Sequence, residues 1–406
     1  MKFVLYSLNH APELTGIGKY NGELIEALSL MDVETHVITA PPYYPEWQRH
    51  LSYKNWWTKE QSSHNHFIYR CPLFVPKNVT TIKRIIHLFT FSISSSLRLL
   101  TLLRLKPDVL FLVQPTLFCA PAALIYCKLT GAKAIMHIQD FELDAMFGLG
   151  MVGNSWLKRM VSFMESWLLK HFDTVSSISF SMLDNARTKG VNEKKLLFFP
   201  NWADTEFVIP DISGDNLRRK WGFTEEEKIV LYAGNIGKKQ GLEIVLDAAK
   251  RLEMRTEIKF VIIGSGAYSK TIQEMARKMG IRNIVFKSIQ PWELVPQILA
   301  MADVHLIVQR RGAADAVLPS KLTNILSAGG HALVTADADT ELGRISDEFP
   351  GIYLRVEPEN LKEFTAGLVH LLEKDTRISN EVARKYAVEN LKKDTVIERF
   401  INDITI

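Results

Sequence analysis

Residues 309–324 combine cations, a hydroxyl and small residues directly after a run of apolar residues. Pro319 and Ser320 are typical of the first turn of a helix, where backbone N–H groups are free to bind an anion. A phosphate at that position would also meet the Ser320 hydroxyl and the ammonium group of Lys321. Asp315 is placed to hydrogen-bond a sugar hydroxyl. The stretch therefore predicts a site for a phosphorylated sugar, and the alternative is a solvated basic loop.

Two glycine-containing loops are further candidates for holding an anion. One is residues 10–20, with Gly16 and Gly18, and the other is residues 234–241, with Lys239. Glycine lets the backbone approach an anionic group at the start of a helix. Neither loop has the GxGxxG or the Walker spacing. On spacing alone, a turn that needs positive φ is sufficient to explain the first loop.

Two shorter motifs are interpreted as turns. Gly264-Ser-Gly266 follows an apolar run and predicts a tight turn. Asp337-Ala-Asp339 has the DxD spacing of some metal sites, but it lies between an apolar run and a helical pattern that begins near Glu341. We therefore predict a capping turn there and no metal site.

All of these motifs follow short apolar runs, which alternate with helical patterns in both halves of the chain. We predict strands at Phe3–Ser7, Val33–Thr39, Val109–Val113, Lys133–His137, Thr174–Ile178, Ile229–Ala233, Ile258–Ile263, Asn283–Phe286, Val304–Val308 and Ala332–Ala336. Strands separated by helices indicate parallel sheets built from right-handed βαβ units. Such sheets bind ligands at the carboxyl ends of their strands, which is where the candidate loops lie.

The predicted architecture is α/β, with two Rossmann-like, doubly wound parallel-sheet domains that face a cleft. The periodic pattern is interrupted near residues 199–204, at Pro200-Asn-Trp. We place the first domain at residues 1–204 and the second at residues 205–385. Residues 386–406 are expected to form a helix that crosses back to the first domain.

Composition limits the classes of function. The chain has 406 residues, of which 47% are apolar and 23% are charged, as in soluble globular proteins with sizeable cores. Its three cysteines, Cys71, Cys119 and Cys127, form no CxxC pair, which argues against a structural zinc site and an oxidised secreted fold. The first residues lack the apolar segment of a signal peptide. We expect a cytoplasmic protein.

Positive charge is concentrated in one part of the chain. Residues 1–204 hold 21 lysines and arginines against 16 acids, and residues 49–106 alone hold ten bases against one acid, Glu60. The ten bases are Arg49, Lys54, Lys59, Arg70, Lys77, Lys83, Arg84, Arg98, Arg104 and Lys106. Such a local excess predicts an anionic partner, either a membrane surface or a nucleic acid.

An amphipathic helix is predicted within this basic stretch. Residues 85–103 are too polar for a membrane span, because an arginine near the bilayer centre is costly. The apolar stripe of the helix consists of Ile86, Phe89, Ile93, Leu97 and Leu100, and its polar stripe of Arg84, His87, Ser94, Arg98 and Thr101. Two arrangements stay open. The helix either packs on the sheet of its own domain or lies in a membrane interface, with Trp56 and Trp57 nearby.

Over nearly its full length the chain resembles a bacterial family 4 glycosyltransferase of the GT-B fold. It is most similar to the colanic-acid biosynthesis fucosyltransferase type and to the fucosamine-type transferases of O-antigen synthesis. The matching segments are Pro12–Tyr20, Val37–Tyr44, Pro115–Pro121, His137–Gly150, Phe198–Trp202, Gly234–Glu243, Arg311–Leu326 and Thr340–Gly343. Matches of this length are more specific than any single glycine loop.

The resemblance implies retaining transfer of L-fucose or an N-acetylated 6-deoxy aminosugar from a GDP- or UDP-linked donor to a polyprenyl-diphosphate-linked acceptor. It implies no metal and no further cofactor. The enzyme is expected at the cytoplasmic face of the bacterial inner membrane, as a peripheral protein that docks on anionic lipid through residues 49–106. Donor binding is expected from Gly16, Gly18, Gly234, Asn235, Lys239, Gln240, Asp315, Ser320, Asn324, Glu341 and Leu342.

The resemblance also implies three catalytic residues. Lys321 would stabilise the departing diphosphate. His137 and Asp140 fall on the family's catalytic loop, where His137 would position the sugar and Asp140 would orient the acceptor hydroxyl. A lone histidine at a strand end is often structural, but the acidic residues Glu142 and Asp144 beside Asp140 favour the functional interpretation.

The chain departs from the family pattern within the site. The family's two glutamates, separated by seven residues, fall on Ala316 and Asn324, so that Asn324 would hold the ribose as a neutral amide. The usual arginine and lysine of the donor loop fall on Asn235 and Gln240. Lys239 is therefore the expected partner of the diphosphate in that loop.

Two other functions fit part of the pattern. A nicotinamide oxidoreductase is also doubly wound, but no loop here combines GxGxxG with an acidic residue about 20 positions later. A non-enzymatic nucleotide- or RNA-binding Rossmann protein could use the basic, aromatic residues 43–106. It would leave the loops at 234–241 and 309–324 unexplained, so we expect a transferase with no nucleic-acid partner.

Overall fold

The computed structural model describes residues 1–13, 16–78, 80–115, 117–141, 155–311 and 319–405. The chain divides into two compact units, Met1–Phe199 and Pro200–Ile406. The division falls at the start of the segment 199–204, where the sequence predicts the break. The roles assigned to the two domains, and the path of residues 386–406 back to the first one, stay predictions.

In the first unit, the described strands form one mainly parallel sheet. The strands are β1 Lys2–Tyr6, β2 Glu34–Thr39, β3 Thr58–Ser63, β4 His66–Arg70, β5 Val109–Val113, β6 Lys133–Ile138, β7 Thr174–Ser177 and β8 Leu196–Phe198. The helices are α1 Gly16–Leu30, α2 Thr81–Thr101, α3 Ala120–Thr130, α4 Ser155–His171 and α5 Phe180–Thr188. The strand order is β3-β4-β2-β1-β5-β6-β7-β8, in which β3 is antiparallel to β4 and the other neighbours are parallel.

The second unit repeats this design with a wholly parallel sheet. Its strands are β9 Lys228–Ala233, β10 Ile258–Ile263, β11 Ile284–Lys287, β12 Val304–Ile307, β13 Ala332–Thr335 and β14 Leu354–Val356. Its helices are α6 Asp215–Lys220, α7 Glu243–Arg251, α8 Ser269–Lys278, α9 Val295–Ala300, α10 Ser320–Ser327, α11 Glu341–Glu348, α12 Leu361–Leu372, α13 Glu381–Asn390 and α14 Lys393–Thr405. The strand order is β11-β10-β9-β12-β13-β14.

Both sheets have the doubly wound order in which the first strand of the unit lies between two later ones. β1 pairs with β2 and β5, and β9 pairs with β10 and β12. The chain therefore reverses direction across the sheet at β1/β5 and at β9/β12, and the loops beyond these carboxyl ends are where such folds bind ligands. This confirms the predicted α/β class with two Rossmann-like sheets.

Buried apolar strands hold each sheet together. All five residues of β5 are buried, and one face of the first sheet is covered by α2, α3 and α4. Every strand predicted from the sequence is present, with ends that differ by at most one residue. The prediction missed β3, β4, β8 and β14, because these strands are polar, short or only partly buried.

Helix α2 buries a face other than its predicted apolar stripe, with Leu88, Phe91 and Leu99 in the core of the first unit. Its predicted apolar stripe is exposed, with side-chain exposures from 44% for Ile86 to 58% for Leu100. Of the predicted polar stripe, His87 and Ser94 are buried instead. The His87 ring nitrogen Nδ1 lies 2.6 Å from the Phe74 carbonyl oxygen, and the Ser94 hydroxyl donates to the Pro72 carbonyl at 2.6 Å. These hydrogen bonds offset the cost of burying the Ser94 hydroxyl and His87 Nδ1, whereas His87 Nε2 is buried without a partner in the described chain.

Candidate functional site

In the second unit, the loop after β9 is fastened to the turn after β10. The amide of Gly234 donates to the Ile263 carbonyl at 2.9 Å, and the amide of Ile236 donates to the Ser265 carbonyl at 2.8 Å. A Cβ on Gly264 would lie 1.9 Å from the Gly234 carbonyl oxygen, and one on Gly266 would lie 2.3 Å from that of Ile236. Gly264-Ser-Gly266 is therefore more than the predicted tight turn. It lets the loop after β9 and the turn after β10 pack backbone against backbone.

Residues 237–241, the second part of the loop after β9, form a turn that is held by internal hydrogen bonds. The side-chain oxygen of Gln240 accepts a hydrogen bond from the Gly237 amide at 3.0 Å. Arg310 donates from Nε to the Lys238 carbonyl at 3.0 Å, and its backbone amide donates to the Lys239 carbonyl at 3.1 Å. Gln240 thus shapes the loop that the sequence assigned to donor binding. Arg310, which the sequence did not single out, ties that loop to the end of β12, and the Lys239 side chain is exposed.

Lys321 lies beside this loop in the first turn of α10. Its Nζ is 3.8 Å from the centre of the Tyr232 ring, and a Cβ on Gly234 would lie 3.3 Å from its Cδ. Part of the side chain is exposed, yet the surroundings desolvate the ammonium group and lower its pKa to about 7. No carboxylate pairs with Lys321 among the ion pairs of the described chain. A cation in this position favours an anionic ligand.

Helix α10 begins and ends as predicted. Pro319 precedes the first helical residue, Ser320, and Gly329 after the helix has φ +62°, the left-handed conformation of a C-cap. Asn324, one turn beyond Lys321, is partly exposed. The β9 loop and α10 therefore bring Gly234, Lys239 and Lys321 to one switch point of the sheet. Asp315, Ala316 and the side chain of Ser320 lie outside the described residues.

The predicted capping turn before α11 is present. The Thr340 hydroxyl accepts a hydrogen bond from the Gly343 amide at 3.3 Å and donates to the Asp337 carbonyl at 2.7 Å. Glu341 and Leu342 are buried, and Leu342 belongs to the apolar core. A donor contact from Leu342 would therefore have to come from its backbone. Within the residues described, no group of three or more histidine, cysteine or acidic side chains is arranged to hold a metal ion.

In the first unit, Glu13 stabilises the loop between β1 and α1, which lies at the β1/β5 switch point. One carboxylate oxygen accepts from the backbone amides of Tyr43 and Tyr44, both at 3.0 Å, and the other accepts from the side-chain amide of Asn9 at 2.8 Å. Burial raises the pKa of Glu13, and these hydrogen bonds oppose that rise. The sequence did not assign Glu13 a role. Its place in the PELTGIGKY segment was the available signal.

Gly16 and Gly18 are glycines for two different structural reasons. Gly16 has φ +58°, in the left-handed region, where α1 begins. A Cβ on Gly18 would lie 2.7 Å from Cβ of Glu13, so only glycine allows the buried carboxylate to approach the helix. Their expected contact with the donor stays a prediction.

His137 is a buried ring on β6. It is 2% exposed and packs against Phe111 and Phe199, with 5.2 Å between ring centres in both cases. Burial lowers its pKa to about 3, so the ring is neutral. Nδ1 lies 3.0 Å from the Ser176 hydroxyl and Nε2 lies 3.0 Å from the Gln139 amide nitrogen. These contacts fit a tautomer in which Nδ1–H donates to Ser176 and Nε2 accepts from Gln139.

His137 therefore holds Gln139 in place at the carboxyl end of the strand, and its assignment to sugar positioning stays a prediction. Asp140 follows at the same end of the sheet and is partly exposed. Glu142 and Asp144, the acidic neighbours that favoured a functional role for His137, lie outside the described residues. The structure does bring Asp140 to the sheet edge at which parallel folds bind ligands.

A cavity of about 710 Å³ opens beside the Glu13 loop. Its lining includes the aromatic residues Tyr43 and Tyr44 and the polar residues Arg49 and His50. Aromatic rings with a few convergent polar groups are typical of sites that bind organic ligands. The sequence pointed to this region through the matching segment Val37–Tyr44 and through Arg49 of the basic stretch.

Comparison with known proteins finds two families in succession along the chain. The profile described as "Glycosyl transferase 4-like domain" matches residues 15–202, and that described as "Glycosyl transferases group 1" matches residues 213–390. A putative colanic acid biosynthesis glycosyl transferase, WcaI of Escherichia coli K12, is 46% identical over 410 residues that cover 100% of both chains.

Solved structures share the fold at low sequence identity. Sucrose-phosphate synthase from Thermosynechococcus elongatus superposes with a TM-score of 0.74 at 13% identity, covering 99% of this chain and 97% of that one. HepE of Anabaena, in complex with UDP and glucose, superposes with a TM-score of 0.70 at 12% identity, covering 99% of each chain. At these identities the superpositions establish the fold alone.

Proposed function

Because the chain belongs to the family 4 glycosyltransferases of the GT-B fold, we propose that it transfers L-fucose or an N-acetylated 6-deoxy aminosugar from a GDP- or UDP-linked donor to a polyprenyl-diphosphate-linked saccharide. The name of the 46% identical relative supports a place in exopolysaccharide synthesis of the colanic-acid type. The observation that carries the donor half of the proposal is the desolvated Lys321 beside the glycine loop.

The donor diphosphate would lie at the β9/β12 switch point. Lys321 and Lys239 supply positive charge there, and the N-terminus of α10 supplies the positive end of a helix dipole. A cation that is already desolvated needs little rearrangement when negative charge develops on the leaving group. The same interactions would stabilise the transition state more than the ground state, because the diphosphate becomes more negative as it departs.

The proposed reaction retains the configuration at the anomeric carbon. The bond between that carbon and the diphosphate oxygen breaks, and the acceptor hydroxyl oxygen forms the new bond on the same face. The acceptor proton passes to the departing phosphate oxygen, so that the products are the glycoside and the nucleoside diphosphate. Asp140 would orient the acceptor hydroxyl, and the cavity beside Tyr44 and Arg49 is the proposed binding place of the acceptor saccharide.

The acceptor lipid would place the enzyme at the cytoplasmic face of the inner membrane as a peripheral protein. Within the described part of the chain, no helix has the length and apolar character that crossing a bilayer requires. The exposed apolar stripe of α2 and the basic residues around it support docking through residues 49–106. Arg70 and Arg98 would not take part, because both side chains are largely enclosed in the first unit.

Donor identity is tested by thermal shift against a panel of GDP- and UDP-linked sugars, because a ligand that binds only the native state raises the melting temperature. The sugar that gives the largest shift is then assayed for transfer, with and without EDTA. Lys321→Ala should lower turnover by about 10²–10³-fold, the usual cost of losing one oxyanion-type donor. Near-normal turnover in a folded Lys321→Ala protein would eliminate the proposed role.

A further inference from the structure

Helix α4 exposes an apolar face that nothing else in the described chain covers. Its outward side chains follow helical spacing and are Trp156, Met160, Phe163, Met164 and Trp167, with exposures from 39% to 70%. Its opposite face, with Leu168 and Leu169, is buried against the sheet. A helix of a soluble domain normally turns polar residues outward, so an apolar face of this size indicates an interaction surface.

This face continues onto the two neighbouring helices. α3 packs against both α2 and α4, and it exposes Ile125 by 60% and Leu129 by 64%. The ring of Phe89 on α2 lies 6.4 Å from that of Phe118, which lies two residues before α3. We refer to the exposed apolar side chains of α2, α3 and α4 as the three-helix face. Of these three helices, only α2 lies within the basic stretch of residues 49–106.

The charges on this face have one sign. Helices α2 and α3 contain no acidic residue, and the one acid of α4 is Glu165. Glu165 is 1% exposed and is paired with Lys189 at 2.6 Å. Arg159 and Lys170 are exposed on α4, at the edge of its apolar stripe, and Lys128 is exposed on α3. The three-helix face is therefore apolar at its centre and basic at its edges.

We propose that α4 and α3 form a second membrane-docking surface, in which Trp156, Phe163 and Trp167 enter the interface of an anionic bilayer. The inference rests on the proposed function for its choice of a lipid partner. Tryptophan at a helix surface, beside lysine and arginine, is the combination that interfacial helices use. A second copy of the chain fits less well, because a two-fold contact would bring two basic faces together.

The test compares Phe163→Gln/Trp167→Gln with a matched control, Met254→Gln/Ile378→Gln, which changes exposed apolar residues of the second unit. Binding is measured by co-sedimentation with vesicles of phosphatidylglycerol and phosphatidylethanolamine, and with phosphatidylcholine vesicles for comparison. We expect the α4 variant to bind the anionic vesicles at least tenfold more weakly than the wild type, and the control to bind normally. Circular dichroism and the nucleotide-induced thermal shift show whether each variant is folded.

Equal binding of the α4 variant and the wild type would overturn the proposal, as would a wild type that ignores anionic vesicles. A wild type that is dimeric by sedimentation, with a monomeric α4 variant, would assign the face to a second copy instead and would also overturn it. None of these measurements needs a donor or an acceptor. A protein that binds vesicles through α4 but cleaves no nucleotide sugar would contradict the proposed function and leave this inference standing.

Discussion

At the scale of single residues, Lys321 shows how a binding site opposes the stability of the fold that carries it. Its ammonium group packs over the Tyr232 ring without a carboxylate partner in the described chain, and burial lowers its pKa to about 7. A lysine with a depressed pKa destabilises the native state wherever the unfolded chain would be protonated, so its cost decreases as the pH rises from about 7 towards 10. We expect Lys321→Met to raise the melting temperature at pH 7 while it lowers turnover by about 10²–10³-fold.

The same lysine predicts a pH dependence of nucleotide binding. A bound diphosphate favours the charged form, so the pKa of Lys321 should rise in the complex and binding should take up a proton above pH 7. The affinity for GDP or UDP should therefore fall as the pH rises from 7 to 9, by at most about tenfold per pH unit. Isothermal titration in buffers of different ionisation enthalpy measures the proton uptake. Lys321→Met should bind weakly and show no such uptake, and an unchanged dependence would assign the proton to another group.

Residue types and spacing were sufficient to predict the positions of Lys321 and Ser320 at the start of α10, but the roles of Glu13 and Arg310 depend on tertiary contacts. The role of Arg70 likewise depends on tertiary contacts that the sequence does not reveal. The sequence counts it among the bases of a docking surface, whereas its guanidinium donates to Glu60 and to the carbonyls of Ala11 and Ala40. Charge counting does not reveal which cations are enclosed.

At the scale of elements, apolar runs and helical periodicity predicted ten of the fourteen described strands, because most parallel strands are buried on both faces. Periodicity also predicted two stripes on α2, but not that its buried face combines Leu88, Phe91 and Leu99 with His87 and Ser94. The burial of His87 and Ser94 depends on their hydrogen bonds with the carbonyls of Phe74 and Pro72, which lie outside the helix. A pattern within one helix contains no information about those partners.

The packing of the two glycine loops leads to a prediction at this scale. Gly266→Ala would place a Cβ 2.3 Å from the Ile236 carbonyl oxygen and should separate the β9 loop from the β10 turn. We expect a lower melting temperature and loss of nucleotide binding. Gly222→Ala is the matched control, because Gly222 also has positive φ, at +85°, but has no atom within 4 Å of the added Cβ. Normal nucleotide binding in a folded Gly266→Ala protein would show that the contact between the loops is dispensable.

At the scale of the whole molecule, the two units differ in their surfaces more than in their folds. Both have a doubly wound sheet in which the first strand of the unit lies between two later ones. The exposed large apolar side chains are concentrated in the first unit, on α2, α3 and α4, and the excess of positive charge lies there as well. Such a division suits an enzyme with one substrate in the bilayer and the other in solution, because only one unit then has to meet the lipid.

This division predicts that membrane binding and donor chemistry separate under charge reversal. Lys83→Glu/Arg84→Glu/Arg104→Glu changes three exposed bases of residues 49–106 and leaves the enclosed Arg98 in place. Each base contributes about 1 kcal/mol near an anionic surface, so binding to anionic vesicles should weaken by at least about 100-fold. Transfer to the lipid acceptor should fall with it, whereas slow hydrolysis of the donor in solution should continue.

The matched control for this prediction is Lys270→Glu/Lys278→Glu/Lys362→Glu, which reverses three exposed bases of the second unit. The control should bind vesicles as the wild type does, and wild-type binding should decrease as salt screens the attraction. If both triple variants lose binding equally, net charge rather than a local surface governs docking. If the first variant binds normally, or wild-type binding ignores salt, the bases of α2 and its surroundings are not the docking surface, and contact with the bilayer would depend on apolar insertion alone.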